Sequence, residues 1–276
     1  MDAPGIDSST YEVKQLWYSS KDGTKVPMFV FYKKGLALDG KNPILLTGYG
    51  GFNVSNTPEF RGSRFVWLEH GGVFAVANLR GGAEFGEDWH RAGMLEKKQN
   101  VFDDFIAAGE YLIAQKYTDK DHLAIQGGSN GGLLMGAAFT QRPDLYRAVV
   151  CQVPLLDMLR YQNFQIAKLW IPEYGSADDP KQFEWLYAYS PYHRVVDGTA
   201  YPAVLLTGGE FDPRVDAYHA KKMTARLQAA TTSEAPILLR IESGGHGIGQ
   251  SLDQEVALET DVLAFVSAML GVDPSH

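Results

Sequence analysis

The sequence predicts an α/β fold: one domain over residues 1–276, with a mostly parallel central sheet and helices on both faces. Three observations carry this expectation. Short apolar runs of strand length recur along the chain and alternate with stretches of helical apolar spacing, the order that builds a parallel sheet covered on both sides. Glycine-rich loops follow the strand ends, the edge at which such folds build their sites. At 276 residues with 45% hydrophobic and 21% charged residues, the chain has the size and balance of a large globular core.

The elements follow in order. Residues 11–18 and 26–32 alternate as two strands, joined by a hairpin turn, S-S-K-D-G-T, containing Asp22-Gly23. Residues 43–47 form a short buried strand that runs into Gly48-Tyr49-Gly50-Gly51-Phe52. A helix is expected over 64–70 and another buried strand over 73–78. Val101, Phe105, Ala108 and Leu112 give helical spacing over 101–116. The strand beginning at Leu123 ends at Gly127-Gly128, a helix follows, and Arg142-Pro143-Asp144 breaks it before a strand over 147–152. Residues 154–200 are rich in aromatics and proline without a strand pattern, and read as short helices over the top of the sheet. A strand over 203–208, an amphipathic helix over 215–229, a last strand over 237–241 and a closing helix over 252–270 complete the chain.

Composition excludes several function classes. The net charge is −8 with no basic run, which argues against a nucleic-acid partner. The one cysteine, Cys151, permits no internal disulfide, and no Cys/His pattern has zinc spacing. That usage suits a reducing, cytoplasmic location. The start, M-D-A-P-G-I-D-S-S-T, is polar and unlike a signal peptide, and no apolar run reaches membrane length, so no membrane partner is expected. Oligomeric state is not legible in the sequence.

The chemistry centres on L-A-I-Q-G-G-S-N-G-G-L-L-M over residues 123–135. Strand, sharp turn and helix around Gly127-Gly128-Ser129-Asn130-Gly131 fit G-x-S-x-G, the nucleophile elbow of α/β-hydrolases. Side chains flanking the serine would collide with the neighbouring strand and helix, hence the glycines. A phosphate-binding Walker A loop fails for want of Lys-Ser/Thr after the glycines. A serine hydroxyl needs a base, and the base an orienting carboxylate, in the chain order Ser, Asp/Glu, His. Of seven histidines, only His193, His219, His246 and His276 follow Ser129. His276 is the terminus, His193 precedes the strand at 203, and His219 falls within a helix, where a surface position is expected. His246 lies in E-S-G-G-H-G-I-G, just past the last strand, where a side chain can reach over the sheet. For the acid, Asp212 follows a strand end, with Glu210 and Asp216 as rivals; Asp216 suits helix capping. Asp144, Asp157, Asp178, Asp179 and Asp197 read as caps, turn residues or surface charges. An oxyanion hole needs two donors. The backbone N–H of Asn130 is one. The other comes from the loop after the 43–47 strand, as the Tyr49 hydroxyl or an amide of Gly50 or Gly51, and spacing leaves that choice open.

G-Y-G-G-F (48–52), N-L-R-G-G-A-E-F-G (78–86), W-H-R-A-G (89–93), N-V-F-D-D-F (100–105), G-G-S-N-G-G-L-L (127–134), Q-R-P-D-L (141–145), D-P-R-V (212–215) and G-G-H-G (244–247) together resemble the peptidase domain of the prolyl oligopeptidase family, nearly end to end. The resemblance implies an α/β-hydrolase fold and a serine peptidase acting after proline in peptides through an acyl-enzyme, with no metal or cofactor. It implies Ser129 as nucleophile, Asp212 as acid, His246 as base, and Tyr49 with Asn130 N–H as oxyanion donors. It implies Trp170 stacking on the substrate proline, Phe52 and Tyr174 as other pocket walls, and Arg214 bonding the carbonyl before proline. The bland expectations are that Trp170 and Tyr174 pack a lid, that Phe52 is core, and that Arg214 pairs with Asp212 or Glu210. In that family a β-propeller precedes and covers the peptidase domain. None lies in these residues, so an uncovered site open to longer peptides is expected. The acidic loop, T-G-G-E-F-D-P-R, departs from the family's usual pattern and reads one residue longer. A carboxylesterase or broad acyl-peptidase on the same scaffold, or a catalytically silent fragment, are the competing readings.

Overall fold

A computed structural model of the chain describes residues 7–59, 62–246 and 251–273. Its strands are β1 (Tyr11–Ser19), β2 (Lys25–Lys33), β3 (Ile44–Gly48), β4 (Val73–Ala77), β5 (Leu123–Gly128), β6 (Ala148–Gln152), β7 (Ala203–Gly209) and β8 (Ile237–Glu242). They join one sheet in the order β1-β2-β4-β3-β5-β6-β7-β8. The pairs β1–β2 and β2–β4 are antiparallel and every other pair is parallel. This is the α/β-hydrolase fold. The helices are α1 (Gly62–Glu69), α2 (Glu87–Arg91), α3 (Gln99–Ala114), α4 (Asn130–Gln141), α5 (Ile171–Tyr174), α6 (Pro180–Tyr189), α7 (Tyr218–Ala230) and α8 (Leu252–Leu270). Among the described residues no helix is long and apolar enough to cross a membrane.

Alternation along the strands decides the layering, because successive side chains point to opposite faces. Ile44, Leu46, Val73, Ala75, Leu123, Ile125, Val204 and Leu206 face one core, with α3, α4 and α7 packed on them. Leu45, Phe74, Val76, Ala124, Val150 and Leu205 face the other, covered by α1 and α8. The central strands β3 to β7 are buried on both faces, so they read in sequence as continuous apolar runs. Cys151 is one of the buried positions; its thiol is pushed up by burial and donates to the Gly132 carbonyl at 3.2 Å.

Local signals set the ends. The β1–β2 turn closes with Ser20 N–H on Thr24 O at 2.8 Å, and Gly23 takes the left-handed conformation (φ +85°) that the turn requires. Asp179 caps α6, accepting from Lys181 and Gln182 N–H, with Pro180 at the first helical position. Ser251 and Gln254 form a capping box at α8. Residues 154–200 hold α5, α6 and 3-10 turns at Tyr161–Asn163, Ala167–Trp170 and Pro191–Arg194.

Three features differ from expectation. Helix α2 has no apolar period to announce it; it is fixed by Trp89, whose Nε1–H donates to Leu79 O at 2.9 Å. The helix expected from 215 begins at Tyr218, because Asp212 Oδ1 accepts the amides of Arg214 and Val215 and holds 212–215 as a turn. Asp157, expected as a cap or surface charge, is buried and paired with Lys222 at 2.6 Å and Arg160 at 3.1 Å.

A buried ion pair ties the antiparallel edge to the parallel centre. Arg80, just past β4, meets Asp104 of α3 at 2.6 Å and reaches Asp22 in the β1–β2 turn. Asp104 also accepts the backbone N–H of Arg80 at 3.1 Å. Removing one partner of such a pair strands the other charge in a dry interior, which costs far more than the intact pair contributes. Asp104→Ala is therefore expected to destabilise the fold by about 3–5 kcal/mol, read as a lower midpoint in urea at an unchanged slope. A loss below about 1 kcal/mol would mean that Asp22 alone satisfies the guanidinium.

Candidate active site

The parallel strands deliver their carboxyl ends to one edge. At the end of β5 the chain turns into α4 through Ser129, whose backbone is forced to φ +58°, ψ −117°. A non-glycine residue there costs about 1–3 kcal/mol and persists only when the surroundings fix it. They do so on both sides: Ser129 N–H donates to Gln152 O of β6 at 2.9 Å, and Ser129 O accepts Leu133 N–H at 3.1 Å. Gly127 is needed for close approach, since a Cβ there would lie 2.5 Å from the Gly131 carbonyl.

Asp212 follows β7 and His246 follows β8. His246 Nε2 lies 2.9 Å from Ser129 Oγ, and His246 Nδ1 lies 2.6 Å from Asp212 Oδ2. Burial pushes Asp212 up, but the hydrogen bond from His246 and the amides of Val215 and Arg214 outweigh it and hold the carboxyl below its ordinary value. It is thus an anion aimed at the imidazole, and Nδ1 carries the proton that it accepts. The rivals turn elsewhere. Glu210 points outward to Lys221 at 2.6 Å, and Asp216 accepts Tyr218 N–H at 2.8 Å, just ahead of α7. His193 Nδ1 meets Ser190 Oγ at 2.8 Å. His276 lies outside the described residues. His219 is not the surface histidine expected. It is buried on the inner face of α7, and its Nδ1 accepts the amides of Leu156 and Asp157 at 3.2 and 3.1 Å. Burial pushes its pKa down to about 4.

Tyr49 and Asn130 flank the serine. Burial raises the Tyr49 phenol, opposed by the charge of Arg214 and a hydrogen bond with Ser129, so at neutral pH it keeps its proton and can donate. Asn130 opens α4, which leaves its N–H without a partner in the helix. Its side chain locks the neighbouring loop: Nδ2 donates to Tyr49 O at 2.6 Å, and Oδ1 accepts the Tyr174 hydroxyl at 2.8 Å.

The expected pocket residues gather beside these donors. Phe52 meets Trp170 edge-on at 6.5 Å and Tyr174 at 5.5 Å. Trp170 is 8% exposed, Phe52 is half-buried, and Tyr174 has no exposed surface. Tyr174 packs behind Phe52 and Asn130, where the resemblance implies a further wall of the pocket. Arg214 is half-buried and does not pair with Glu210; its Nε is buried and has no hydrogen-bond partner among the described residues. Two residues escaped the sequence reading altogether: Lys98 and Glu173, both buried beneath the Tyr49–Phe52 loop. Lys98 stands in a run of charged residues that reads as solvated, and no local pattern signals otherwise. A groove of about 890 Å³ between α1 and α8 contains none of these side chains, so chemistry and not cavity size locates the site.

The model of the prolyl oligopeptidase family matches residues 58–273. The prolyl endopeptidase of Elizabethkingia meningoseptica is 48% identical over 269 residues, which cover 97% of this chain and 38% of that protein. A solved structure from a study of two prolyl endopeptidases superposes with a TM-score of 0.96 at 54% identity, over 99% of this chain and 40% of the other. Prolyl oligopeptidase B of Galerina marginata, bound to a 35mer hydrolysis and macrocyclization substrate, gives 0.95 at 38% identity, over 99% and 38%. The chain thus spans about two fifths of the length of these relatives.

The buried His219 makes a pH prediction. Its folded pKa, about 4, lies below the ordinary 6.5, so between those values the unfolded chain binds the extra proton and stability rises with pH. The contribution is complete above pH 6.5 and lost as pH falls through 4, about 3 kcal/mol in all. Urea melts at pH 7 and 4.5 should show this loss in the parent chain and a flatter profile in His219→Gln, whatever the variant's stability at pH 7. An equally steep profile in the variant would place the titration elsewhere.

Proposed function

The chain belongs to the prolyl oligopeptidase family, and on that premise we propose that it carries the catalytic machinery of a serine peptidase that cuts peptides on the carboxyl side of proline. One observation carries the reading: a hydroxyl, an imidazole and an ionised carboxylate in unbroken hydrogen-bond sequence, at 2.9 and 2.6 Å, with the hydroxyl on a strained turn.

In this mechanism His246 Nε2 takes the proton of Ser129 Oγ as the oxygen attacks the carbonyl carbon of the proline itself. The imidazolium that forms is stabilised by Asp212, which also keeps Nδ1 protonated. The carbonyl oxygen becomes an anion between the Tyr49 hydroxyl and the Asn130 N–H, donors already placed and needing no reorganisation. When the tetrahedral species collapses, the C–N bond breaks and the amine leaves with the proton from His246. Water, deprotonated by the same nitrogen, then attacks the acyl-enzyme and releases the acid. The sequence of steps needs no metal or organic cofactor.

Selectivity for proline rests on aromatic faces and one cation. Proline offers a flat apolar ring and no N–H, so an aromatic wall recognises it by contact area. Trp170 and Phe52 supply that wall, with Tyr174 behind. The unpartnered Nε of Arg214 supplies a donor for the carbonyl preceding proline, at a site where a buried donor otherwise stays unsatisfied.

Two kinetic outcomes test this. A peptide anilide with proline at the cleavage position should be hydrolysed at least about 100-fold faster, by kcat/KM, than its alanine counterpart. Trp170→Ala should erase most of that ratio. A chain that prefers a short acyl ester and ignores proline is an esterase instead, and one that turns over neither substrate is silent. Tyr49→Phe should lower kcat about 100-fold with little change in KM, since the bond from its hydroxyl to the substrate oxygen strengthens only as that oxygen becomes an anion; an unchanged kcat would assign the donor to a loop amide.

A further inference from the structure

Two buried charges take no part in the relay just described. Lys98, the residue before α3, is 1% exposed, and Glu173, within α5, is 5% exposed. Lys98 Nζ donates to Gly50 O at 2.9 Å and lies 3.4 Å from Glu173 Oε1. Glu173 Oε1 accepts the Phe52 N–H at 3.1 Å, and Oε2 meets His90 Nε2 at 2.8 Å. Carbonyl 50 and amide 52 are thus both held by charged groups.

The loop they hold cannot rest in this shape unaided. Gly50, Phe52 and Asn53 all have positive φ, at +62°, +56° and +56°. Two of the three carry side chains, and such residues stay in this region only when surrounding contacts dictate it. Charge-assisted hydrogen bonds are the contacts strong and directional enough to do so. Packing alone does not account for the pair: an apolar pair of the same shape fills the space as well, without desolvating two ions.

Helix α5 also reaches the other side of the hole. Tyr174, next to Glu173, donates to Asn130 Oδ1, and Asn130 Nδ2 donates to Tyr49 O. Trp170 immediately precedes this helix. One short segment therefore supports the elbow, the Tyr49–Phe52 loop and the aromatic wall together.

We propose that Glu173 is the positioning residue of the oxyanion hole: paired with Lys98 and His90, its carboxylate fixes the loop that aims the Tyr49 hydroxyl. The proposal rests on the peptidase reading above. Glu173 touches no reacting atom; it acts through Tyr49. Its loss costs transition-state stabilisation and leaves peptide affinity largely intact.

A double-mutant cycle on the 276-residue chain tests this, with kcat and KM measured on the proline anilide and folding checked by thermal melts. Glu173→Ala should lower kcat about 30-fold, less than the roughly 100- to 1,000-fold for losing an oxyanion donor outright because the hydroxyl is misaimed and not removed, with KM changed less than about 3-fold. In the Tyr49→Phe background the same substitution should cost less than about 3-fold, because the group that it positions is already absent. Glu173→Gln keeps an acceptor for the Phe52 amide and should recover part of kcat. If Glu173→Ala does not fold, Glu173→Gln takes its place, with a loss of about 5-fold expected that vanishes in Tyr49→Phe. Equal losses in both backgrounds, or a raised KM at unchanged kcat, would overturn the positioning role. A parent chain inactive on the anilide would instead sink the peptidase reading, a result distinct from an active parent whose Glu173 variants keep full kcat.

Discussion

Three strands running the same way bring a hydroxyl, a carboxylate and an imidazole to one edge of the sheet. Ser129 and His246 are 117 residues apart in the chain and 2.9 Å apart in space. That approach depends on the parallel pairing of β5 through β8. Parallel pairing in turn depends on helices that bury both faces, so the two cores are as much a condition of the site as its polar groups are. The sheet supplies direction, and the loops beyond its carboxyl edge need only supply side chains.

Around this edge the protein holds several groups in states that water would not favour. Ser129 sits in a strained backbone region, Asp212 stays ionised while buried, and His219 stays neutral. Burial pushes Lys98 toward its neutral form, against the opposing carboxylate of Glu173. Each is offset by specific hydrogen bonds and not by packing in general. Strained and charged groups set around the Ser129 hydroxyl are what preorganised electrostatics requires: donors and charges in place beforehand, in a region poor in water. The same density of polar contacts farther off, as at Arg80 and Asp104, secures the edge hairpin and has no acceptor or nucleophile to serve.

The fold was legible because its signals are local. Apolar runs, turn residues and helical spacing place every strand and nearly every long helix within a few residues. Ser129, Asp212 and His246 were legible for another reason: an elbow motif, a chain order and two strand ends leave few candidates. The rest depends on long-range contacts that no window of sequence contains. Lys98 in E-K-K-Q-N reads as solvated until Gly50 and Glu173 close over it. His219 and Asp157 read as surface groups until α7 brings them against the 154–158 segment. Spacing leaves Tyr49 level with the amides of Gly50 and Gly51, and only the long-range contacts of the loop with Asn130, Lys98 and Glu173 bring the phenol into hydrogen-bond reach of Ser129. Tyr174 reads in sequence as a lid or pocket aromatic and is fully buried against Phe52 and Asn130.

The central claim is that His246 makes Ser129 nucleophilic. A fluorophosphonate probe tests it without reference to any substrate, since the serine oxygen displaces fluoride from phosphorus only when its proton is taken. Mass spectrometry of the labelled chain should find one phosphonyl group, on Ser129, and His246→Ala should slow its appearance at least about 1,000-fold. A label elsewhere, none at all, or an unchanged rate in the His246 variant would contradict the account.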